Sequence, residues 1–327
     1  MSLVAVIPAA GAGTRLKPHT DTTPKPLLAV AGMPILAHIL ARVAAARPDR
    51  IVLVVGPGAH GERLRAYAAS RRDLPISCVL QESPHGLGHA VFQARNEVGS
   101  APVLIVLGDT IVEAPLDRLA AEGSWIGVKE VDDPRRFGVA TVRDGRITAL
   151  VEKPERPETN LAVVGLYAIR NSGLLFESLE ALELAGARTK GEIQLTDALQ
   201  RMIEAGEDLR PFPVKGWYDC GNKEALLDAN RALLDARAEP VTLDGVVVVP
   251  PVAVDASADV RDSEIGPHAS IGPGAKVRRS VIRHSIVNEG ATVEDALLDH
   301  EVIGEHQVVR GSHQRLNVGD SSEVERS

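Results

Sequence analysis

Residues Leu3–Leu28 read LVAVIPAAGAGTRLKPHTDTTPKPLL, and they indicate a buried strand followed by a phosphate-binding loop. The apolar run Leu3–Ile7 predicts a strand that leads into the small-residue loop Ala9–Gly13. Glycine loops let backbone N–H groups approach phosphate oxygens, because no Cβ blocks the approach. Arg15 beside the loop and Lys25 between two prolines add positive charge for the same anion. The segment therefore predicts a site for a nucleoside triphosphate or a ligand of similar shape.

The loop matches neither of the two common phosphate-binding fingerprints. A dinucleotide-binding loop needs G-x-G-x-x-G, and here Gly11 and Gly13 are followed by Leu16 where the third glycine would stand. The string G-x-x-x-x-G-K-[ST] of a P-loop does not occur in the chain. On these residues alone, a structural turn stays open beside the phosphate-binding interpretation.

Longer motifs favour the phosphate site, because AAGAGTRLKP and TPKPLL resemble the signature of sugar-1-phosphate nucleotidylyltransferases. This family contains the glucose-1-phosphate thymidylyltransferases and the UTP–glucose-1-phosphate uridylyltransferases. The resemblance extends to about residue 235, and further blocks follow in the family's order: QESPHGLGHAV (Gln81–Val91), VLGD (Val106–Asp109), FGVA (Phe137–Ala140), VEKP (Val151–Pro154), NLAVVGLY (Asn160–Tyr167), GEIQLTDA (Gly191–Ala198) and WYDCGN (Trp217–Asn222). It implies a Rossmann-like nucleotidyltransferase domain.

Composition narrows the classes of protein to consider. The 327 residues carry a net charge of −8 with no long basic run, which argues against a nucleic-acid partner. An apolar fraction of 44% supports a large core, mostly aliphatic because only 3% of residues are aromatic. Two cysteines, Cys78 and Cys220, lie far apart and in no metal-ligand spacing. With no signal peptide and no long apolar span, we expect a cytoplasmic protein without a membrane partner.

The first two-thirds of the chain alternates strand-like and helix-like segments, which predicts an α/β fold with a doubly wound, mixed and mostly parallel sheet. The predicted strands are Leu3–Ile7, Ile51–Val55, Ser77–Gln81, Val103–Leu107, Ser124–Glu130, Val139–Arg143 and Ala162–Arg170. A helix is predicted after Pro34, and others over Gly88–Asn96 and Leu195–Ala205. Ligands of such sheets bind beyond the carboxyl ends of the strands.

The pattern changes near Glu239, so we predict domains at 1–238 and 239–317 and a polar tail at 318–327. Single aliphatic residues then recur every five or six positions, which is too wide a spacing for a helix: Val254, Val260, Ile265, Ile271, Val277, Ile282, Val287, Val293, Leu298, Ile303 and Val308. A hexapeptide-type repeat of this kind predicts a small parallel β-helix, left-handed by resemblance, of about three coils. We expect it to serve as an assembly surface of a homo-oligomer. Acyl transfer by this tail is disfavoured, because three coils are few and no histidine is expected to recur at a matching place.

The resemblance implies a reaction in which a sugar 1-phosphate attacks the α-phosphorus of a nucleoside triphosphate. Five catalytic residues follow from the matched motifs: Arg15, Lys25, Asp109, Lys153 and Asp219. Asp109 and Asp219 would bind one Mg²⁺, since Mg²⁺ prefers a few carboxylate oxygens with substrate oxygens and water.

The remaining candidate residues fall into two groups by resemblance. Nucleotide binding is assigned to Ala10, Gly11, Gly13, Thr14, Gln81 and Gly86. Sugar-phosphate binding is assigned to Gly138, Glu152, Lys153, Gly165 and Lys190. Lys190 replaces the arginine of many thymidylyltransferases, so its role as a second phosphate clamp stays open.

The motifs leave the base undecided between thymine and uracil. Thr110 follows Asp109 where thymidylyltransferases carry asparagine and uridylyltransferases carry aspartate, and Pro8-Ala9 is closer to the uridylyltransferase pattern. Two other functions remain as alternatives: a catalytically silent regulatory subunit that binds nucleotide sugars, and a bifunctional enzyme with an acyltransferase tail. Silent relatives tend to lose the metal aspartates or the loop arginine, and this chain keeps them.

Overall fold

The computed structural model describes residues 2–116, 123–237 and 240–311, which divide into two compact units, Met1–Ala229 and Asn230–Ser327. The predicted boundary at 238/239 and the tail 318–327 lie outside the described residues. None of the described helices is long and apolar enough to cross a membrane.

A nine-stranded mixed sheet with packed helices forms the first unit, which confirms the predicted α/β class. The strands of this unit are β1 (Val4–Pro8), β2 (Ala29–Val30), β3 (Met33–Pro34), β4 (Arg50–Val55), β5 (Ile76–Leu80), β6 (Val103–Val106), β7 (Thr110–Glu113), β8 (Ser124–Glu130), β9 (Gly138–Arg143), β10 (Arg146–Glu152), β11 (Leu161–Ile169), β12 (Leu209–Pro213) and β13 (Gly216–Asp219). The sheet order is β10–β9–β11–β6–β1–β4–β5, and β8 pairs with both β11 and β12.

Seven α-helices are described: α1 (Ile35–Ala45), α2 (Gly58–Ser70), α3 (Leu87–Gln93), α4 (Arg95–Val98), α5 (Ser172–Leu184), α6 (Leu195–Glu204) and α7 (Lys223–Asp235). Short 3₁₀ turns add Thr14–Leu16, His19–Asp21, Lys25–Leu27 and Pro134–Arg136. The helix predicted after Pro34 is α1, and its buried residues recur with the 3.6-residue period of an amphipathic helix. The helix predicted over Gly88–Asn96 is interrupted at Ala94, where α3 ends and α4 begins.

Four strands set the position of the Ala9–Gly13 loop, which is the predicted phosphate-binding loop. In this half of the sheet β1 pairs in parallel with β4 and β6, and β4 pairs in parallel with β5. Their carboxyl ends therefore share one edge, where ligands of open α/β sheets bind. The predicted strands agree with the observed ones to within one residue at each end.

The second unit contains three parallel sheets of four strands each, which confirms the predicted parallel β-helix. Its strands are β14 (Val247–Val248), β15 (Val252–Val254), β16 (Asp259–Arg261), β17 (Glu264–Ile265), β18 (Ala269–Ile271), β19 (Lys276–Arg278), β20 (Val281–Arg283), β21 (Ile286–Val287), β22 (Thr292–Glu294), β23 (Leu297–Asp299), β24 (Val302–Ile303) and β25 (Val308–Arg310). Each sheet thus has four rungs, one more than the three coils predicted.

Two further expectations about this unit are wrong. The last inward aliphatic residue is Val309, which pairs with Val293, whereas the predicted Val308 is 56% exposed. Histidines also recur at matching places: the rings of His268, His284 and His300 stack, with centroid separations of 5.4 and 4.8 Å. Equivalent positions in the later coils lie 16 residues apart, so the position after Val293 on the same face is Val309 and not Val308.

We predict that Gly266→Ala destabilises the β-helix unit far more than Gly274→Ala. Gly266 has φ +104°, and a Cβ there would lie 1.9 Å from the Val249 carbonyl oxygen. Gly274 has φ +61° but no atom within 4 Å of its Cβ position. Gly274→Ala should cost about 1–2 kcal/mol for the left-handed backbone alone, and Gly266→Ala should cost about 3 kcal/mol or more. Urea unfolding followed by circular dichroism measures both, and equal losses would contradict this account.

Candidate functional site

The loop after β1 lies at the carboxyl edge of the parallel strands. The Ala9 N–H donates to the Val54 carbonyl, and the Gly108 N–H donates to the Pro8 carbonyl, so the start of the loop is fixed by two neighbouring segments. Gly13 has φ +63°, and a Cβ on it would lie 3.0 Å from Thr20 and 3.2 Å from Lys25. The loop therefore packs directly against the segment that carries Lys25.

Lys25 and Asp109 form an ion pair in the cleft below this loop. Their Nζ and Oδ2 atoms are 2.5 Å apart, and only 8% of the lysine side chain is exposed, against 37% for the aspartate. Burial opposes ionisation of Asp109, but the charge and hydrogen bond of Lys25 outweigh it and hold the pKa of Asp109 below its usual value. Asp109 is therefore an anion at neutral pH.

Asp219 reaches the same cleft because β13 pairs antiparallel with β7, which begins directly after Asp109. Asp219 pairs in register with Thr110, and the Cys220 N–H donates to the Asp109 carbonyl at 3.2 Å. Burial and the charge of Asp109 raise the pKa of Asp219 above its usual value. The two predicted metal ligands thus come together, and their pKa values shift in opposite directions because Lys25 pairs with Asp109 while Asp219 is buried beside that charge.

Two cavities meet beside Asp109. The larger, about 590 Å³, is lined by the Ala9–Arg15 loop, Lys25, Gln81 and Gly86. The smaller, about 220 Å³, is lined by most of the predicted sugar-phosphate residues, together with Asp219. Arg15, Leu87, Leu107, Asp109 and Glu192 line both cavities. The geometry therefore separates the predicted nucleotide and sugar residues into two adjoining compartments.

Gln81 is buried and held by two acceptors. Its amide nitrogen donates to the Gly86 carbonyl at 3.2 Å and lies 2.9 Å from His89 Nδ1. Because a carbonyl only accepts, the Gly86 contact fixes which end of the amide carries the nitrogen. Burial lowers the pKa of His89, so its ring is neutral at pH 7 and its Nδ1 can accept. The amide oxygen of Gln81 has no donor among the described residues, and Gln81 is one of the residues that line the larger cavity.

Two motif glycines have packing reasons for being glycine. Gly86 has φ +107°, and a Cβ on it would lie 2.7 Å from Glu192 Cβ and from the Ile193 carbonyl oxygen. Gly165 has φ +78°, and a Cβ there would lie 2.6 Å from Leu107. Both positions therefore need glycine to fold, whatever ligand they face.

The smaller cavity contains a connected set of polar side chains. Thr196 donates to Glu152 Oε2 at 2.7 Å, and Lys153 Nζ lies 3.2 Å from the other carboxylate oxygen. Lys190 Nζ donates to the Lys153 carbonyl at 2.9 Å, which places the two lysines beside each other. Gly138 lies close, since a Cβ on it would be 3.2 Å from Glu152. Four of the five predicted sugar-phosphate residues line this cavity, whereas Lys190 lies outside its lining, in a groove of about 430 Å³ that Lys153 also lines.

Sequence reasoning missed several residues that line this cavity: Arg136, Glu192, Thr196 and Trp217. Trp217 packs edge-on against Phe137 at 4.8 Å, and its buried indole N–H has no hydrogen-bond partner among the described residues. A signal was available for most of them, since Glu192, Thr196 and Trp217 lie inside motif blocks and Arg136 directly precedes one.

A third groove, about 920 Å³, lies on the β-helix unit. This groove is larger than either cavity, but none of the residues predicted to bind phosphate line it. Its Arg279 is paired with Asp295 at 2.6 Å. The residues that are predicted to bind phosphate all lie in the first unit.

The comparisons with known proteins agree with this geometry. A sequence model described as nucleotidyl transferase matches residues 4–236. The chain is 33% identical to the glucose-1-phosphate thymidylyltransferase of Streptomyces antibioticus over 313 residues, which cover 86% of each chain. It is 37% identical to the bifunctional protein GlmU of Methanococcus maripaludis over 236 residues, covering 71% of this chain and 54% of that relative.

The solved structure of a UDP-glucose pyrophosphorylase complexed with UDP-glucose superposes with a TM-score of 0.63 at 27% identity. The superposition covers 72% of this chain and all of that one. The matched regions include the phosphate loop, both aspartates of the cleft and the smaller cavity. This chain belongs to the nucleotidyl transferase family, and within it to the sugar-1-phosphate nucleotidylyltransferases.

Proposed function

We propose that this chain transfers a nucleotidylyl group from dTTP or UTP to a sugar 1-phosphate, with glucose 1-phosphate as the favoured acceptor, in a Mg²⁺-dependent reaction. A phosphate oxygen of the sugar phosphate attacks the α-phosphorus, the bond to the β-phosphate oxygen breaks, and pyrophosphate leaves. The similarity to a glucose-1-phosphate thymidylyltransferase and to a UDP-glucose pyrophosphorylase supports this choice of acceptor.

The observation that carries the proposal is the meeting of the two cavities at Asp109. One is sized and lined for a nucleotide, the other contains the sugar-phosphate candidates, and Arg15 and Asp109 face both. A reaction that joins two phosphates needs two binding compartments that adjoin each other, because the nucleophile and the α-phosphorus must come within about 3–3.5 Å.

The chemistry needs positive charge more than it needs a base. A phosphate monoester has its second pKa near ~6, so the nucleophile is already an anion at neutral pH. The obstacle is repulsion between this anion and the triphosphate, and cations and aligned N–H groups remove it. The absence of a nucleophile–base pair from the described cavities is consistent with this.

Asp109 and Asp219 fit a Mg²⁺ ion. They supply two hard oxygen ligands in one cleft, where burial and the charge of Asp109 raise the pKa of Asp219. When bound, the ion would neutralise phosphate charge and polarise the α-phosphate. Lys25 balances one of the two carboxylates through its ion pair.

The chain's own cations have distinct places. The Ala10–Thr14 loop and Arg15 would hold the β- and γ-phosphates through backbone N–H groups and the guanidinium fork. Lys25 lines the larger cavity and pairs with Asp109, which lines both, so its charge would lie close to the α-phosphate. Lys153, with Lys190 beside it, would hold the incoming sugar phosphate.

Gln81 would select the base by its free amide oxygen. Because the amide nitrogen is already engaged, Gln81 presents an acceptor, which matches the N3–H donor of uracil or thymine and opposes the N3 acceptor of cytosine. In the smaller cavity, Glu152 can accept from a sugar hydroxyl.

The experiment that tests the proposal is pyrophosphate release with glucose 1-phosphate and Mg²⁺, run in parallel with dTTP, UTP, CTP, ATP and GTP. We expect turnover with dTTP or UTP and little with CTP. No release with any triphosphate, repeated with other sugar 1-phosphates, would favour a silent binding protein instead.

We predict that Asp109→Asn lowers turnover by roughly 10²–10⁴, because it removes metal-borne charge stabilisation from the cleft. Asp144→Asn is the matched control, since Asp144 lies in the exposed hairpin between β9 and β10 at φ +49°, a conformation that asparagine also tolerates. The control should keep wild-type turnover. A folded Asp109→Asn variant with unchanged turnover would refute the metal assignment.

We predict that His89→Leu lowers the preference for UTP over CTP by about tenfold, which corresponds to about 1.4 kcal/mol. Without His89 Nδ1 the Gln81 amide loses one of its two acceptors and can present its nitrogen to the base. His85→Leu is the control, because the exposed His85 ring lies 4.9 Å from His89 but makes no described hydrogen bond to Gln81. The measurement is kcat/KM for each triphosphate; equal effects of the two variants would contradict the positioning role.

A further inference from the structure

A column of three histidines runs up one corner of the β-helix unit. His268, His284 and His300 lie 16 residues apart, and neighbouring rings stack at centroid separations of 5.4 and 4.8 Å. All three adopt positive φ, between +46° and +59°. Histidine tolerates this backbone better than most side chains, so corner geometry alone explains why a histidine can stand at each position.

Corner geometry does not explain where the imidazoles point. The Nδ1 atoms of His284 and His300 both approach one oxygen, Asp299 Oδ1, at 3.0 and 2.9 Å. The three potential ligand atoms all lie within 4.8 Å of one another, the one such histidine–carboxylate group among the residues that the structure describes. Another corner with positive φ carries Arg279 and Asp295 instead, which pair with each other. Convergence on one oxygen is therefore particular to the histidine corner.

We propose that His284, Asp299 and His300 form a binding site for a divalent transition-metal ion of the Zn²⁺ type. Two imidazole nitrogens and one carboxylate oxygen are ligands that Zn²⁺ accepts, with a fourth position left for water. Mg²⁺ prefers oxygen ligands, so this site differs in chemistry from the aspartates of the cleft. The proposal is independent of the proposed nucleotidylyl transfer.

The geometry requires only small side-chain movements. Tetrahedral bonds of about 2.0–2.1 Å separate ligand atoms by about 3.3 Å, close to the two imidazole–carboxylate distances. The two Nδ1 atoms must approach each other, and the side chains have room, being 32% exposed for His284 and 69% for His300. Each histidine would keep its proton on Nε2 and give the Nδ1 lone pair to the metal.

The backbone that carries these ligands is well fixed. Arg283 pairs with Asp299 in the β20–β23 ladder, and the His284 N–H donates to the Pro267 carbonyl at 2.8 Å. Ile286 and Val302 pair in the next sheet, so both sides of the corner are held. A metal here would cross-link the third and fourth rungs, in the way that a ligand stabilises the folded state it binds.

The test is a titration of the untagged chain with Zn²⁺ alone, by isothermal calorimetry, in buffer with excess Mg²⁺ to occupy the aspartates of the cleft. The variants are His300→Asn, His284→Asn and Asp299→Asn; asparagine tolerates positive φ at the two histidine positions, so the corner should keep its fold. His306→Asn is the control, because His306 is also exposed at φ +56° but belongs to no ligand group. Unfolding midpoints in zinc-free buffer check that every variant is folded.

We expect wild type and His306→Asn to bind Zn²⁺ at one specific site and to gain thermal stability from it. Each ligand variant should lose at least tenfold in affinity for Zn²⁺ and lose the thermal shift. If wild type retains no zinc, or if His300→Asn binds it as tightly as wild type does, the site is refuted. Pyrophosphate release does not enter this test, so its outcome and that of the proposed function are separate.

Discussion

The ion pair between Lys25 and Asp109 is the interaction on which the cleft depends. The two residues are 84 positions apart, and their contact ties the phosphate-loop segment to the end of β6. It also balances charge, since a cleft with two carboxylates cannot bind two phosphate groups unless cations offset the repulsion. Gly13 packs against the Cβ of Lys25, so the loop and the ion pair are held in contact with each other.

Strand pairing places the second carboxylate of the cleft, that of Asp219, beside this ion pair. The β7–β13 ladder places Asp219 beside the Asp109 segment through backbone hydrogen bonds, so its position does not rely on flexible side chains. Gly165 also helps to fix this region, because its missing Cβ leaves space for Leu107 at the end of β6. Residues from distant parts of the sequence are thus held on rigid strands, and little reorganisation is needed when charge develops in the reaction.

Local signals in the sequence predicted much of this structure. Runs of valine and isoleucine located the sheet strands, and the returning aliphatic residues located the β-helix. The polar helix α2 was missed because, apart from one glycine, only Leu64 and Ala68 are buried on it. Pairs such as Thr196–Glu152 and the stacked histidines could not be predicted, since they depend on strand register and on the 16-residue coil length. Register is a property of the folded ladder, and no single stretch of sequence carries it.

At the glycines of the motifs, two reasons for having glycine can be distinguished: a requirement of folding and a requirement of ligand binding. Gly13, Gly86 and Gly165 have positive φ and crowded Cβ positions, so folding alone requires glycine there. Gly11 has neither feature: no positive φ is needed, and no atom lies within 4 Å of its Cβ position, which faces the nucleotide-sized cavity. Because folding gives no reason for glycine at this place, the space beside Gly11 is best explained by the close approach of a phosphate to the backbone.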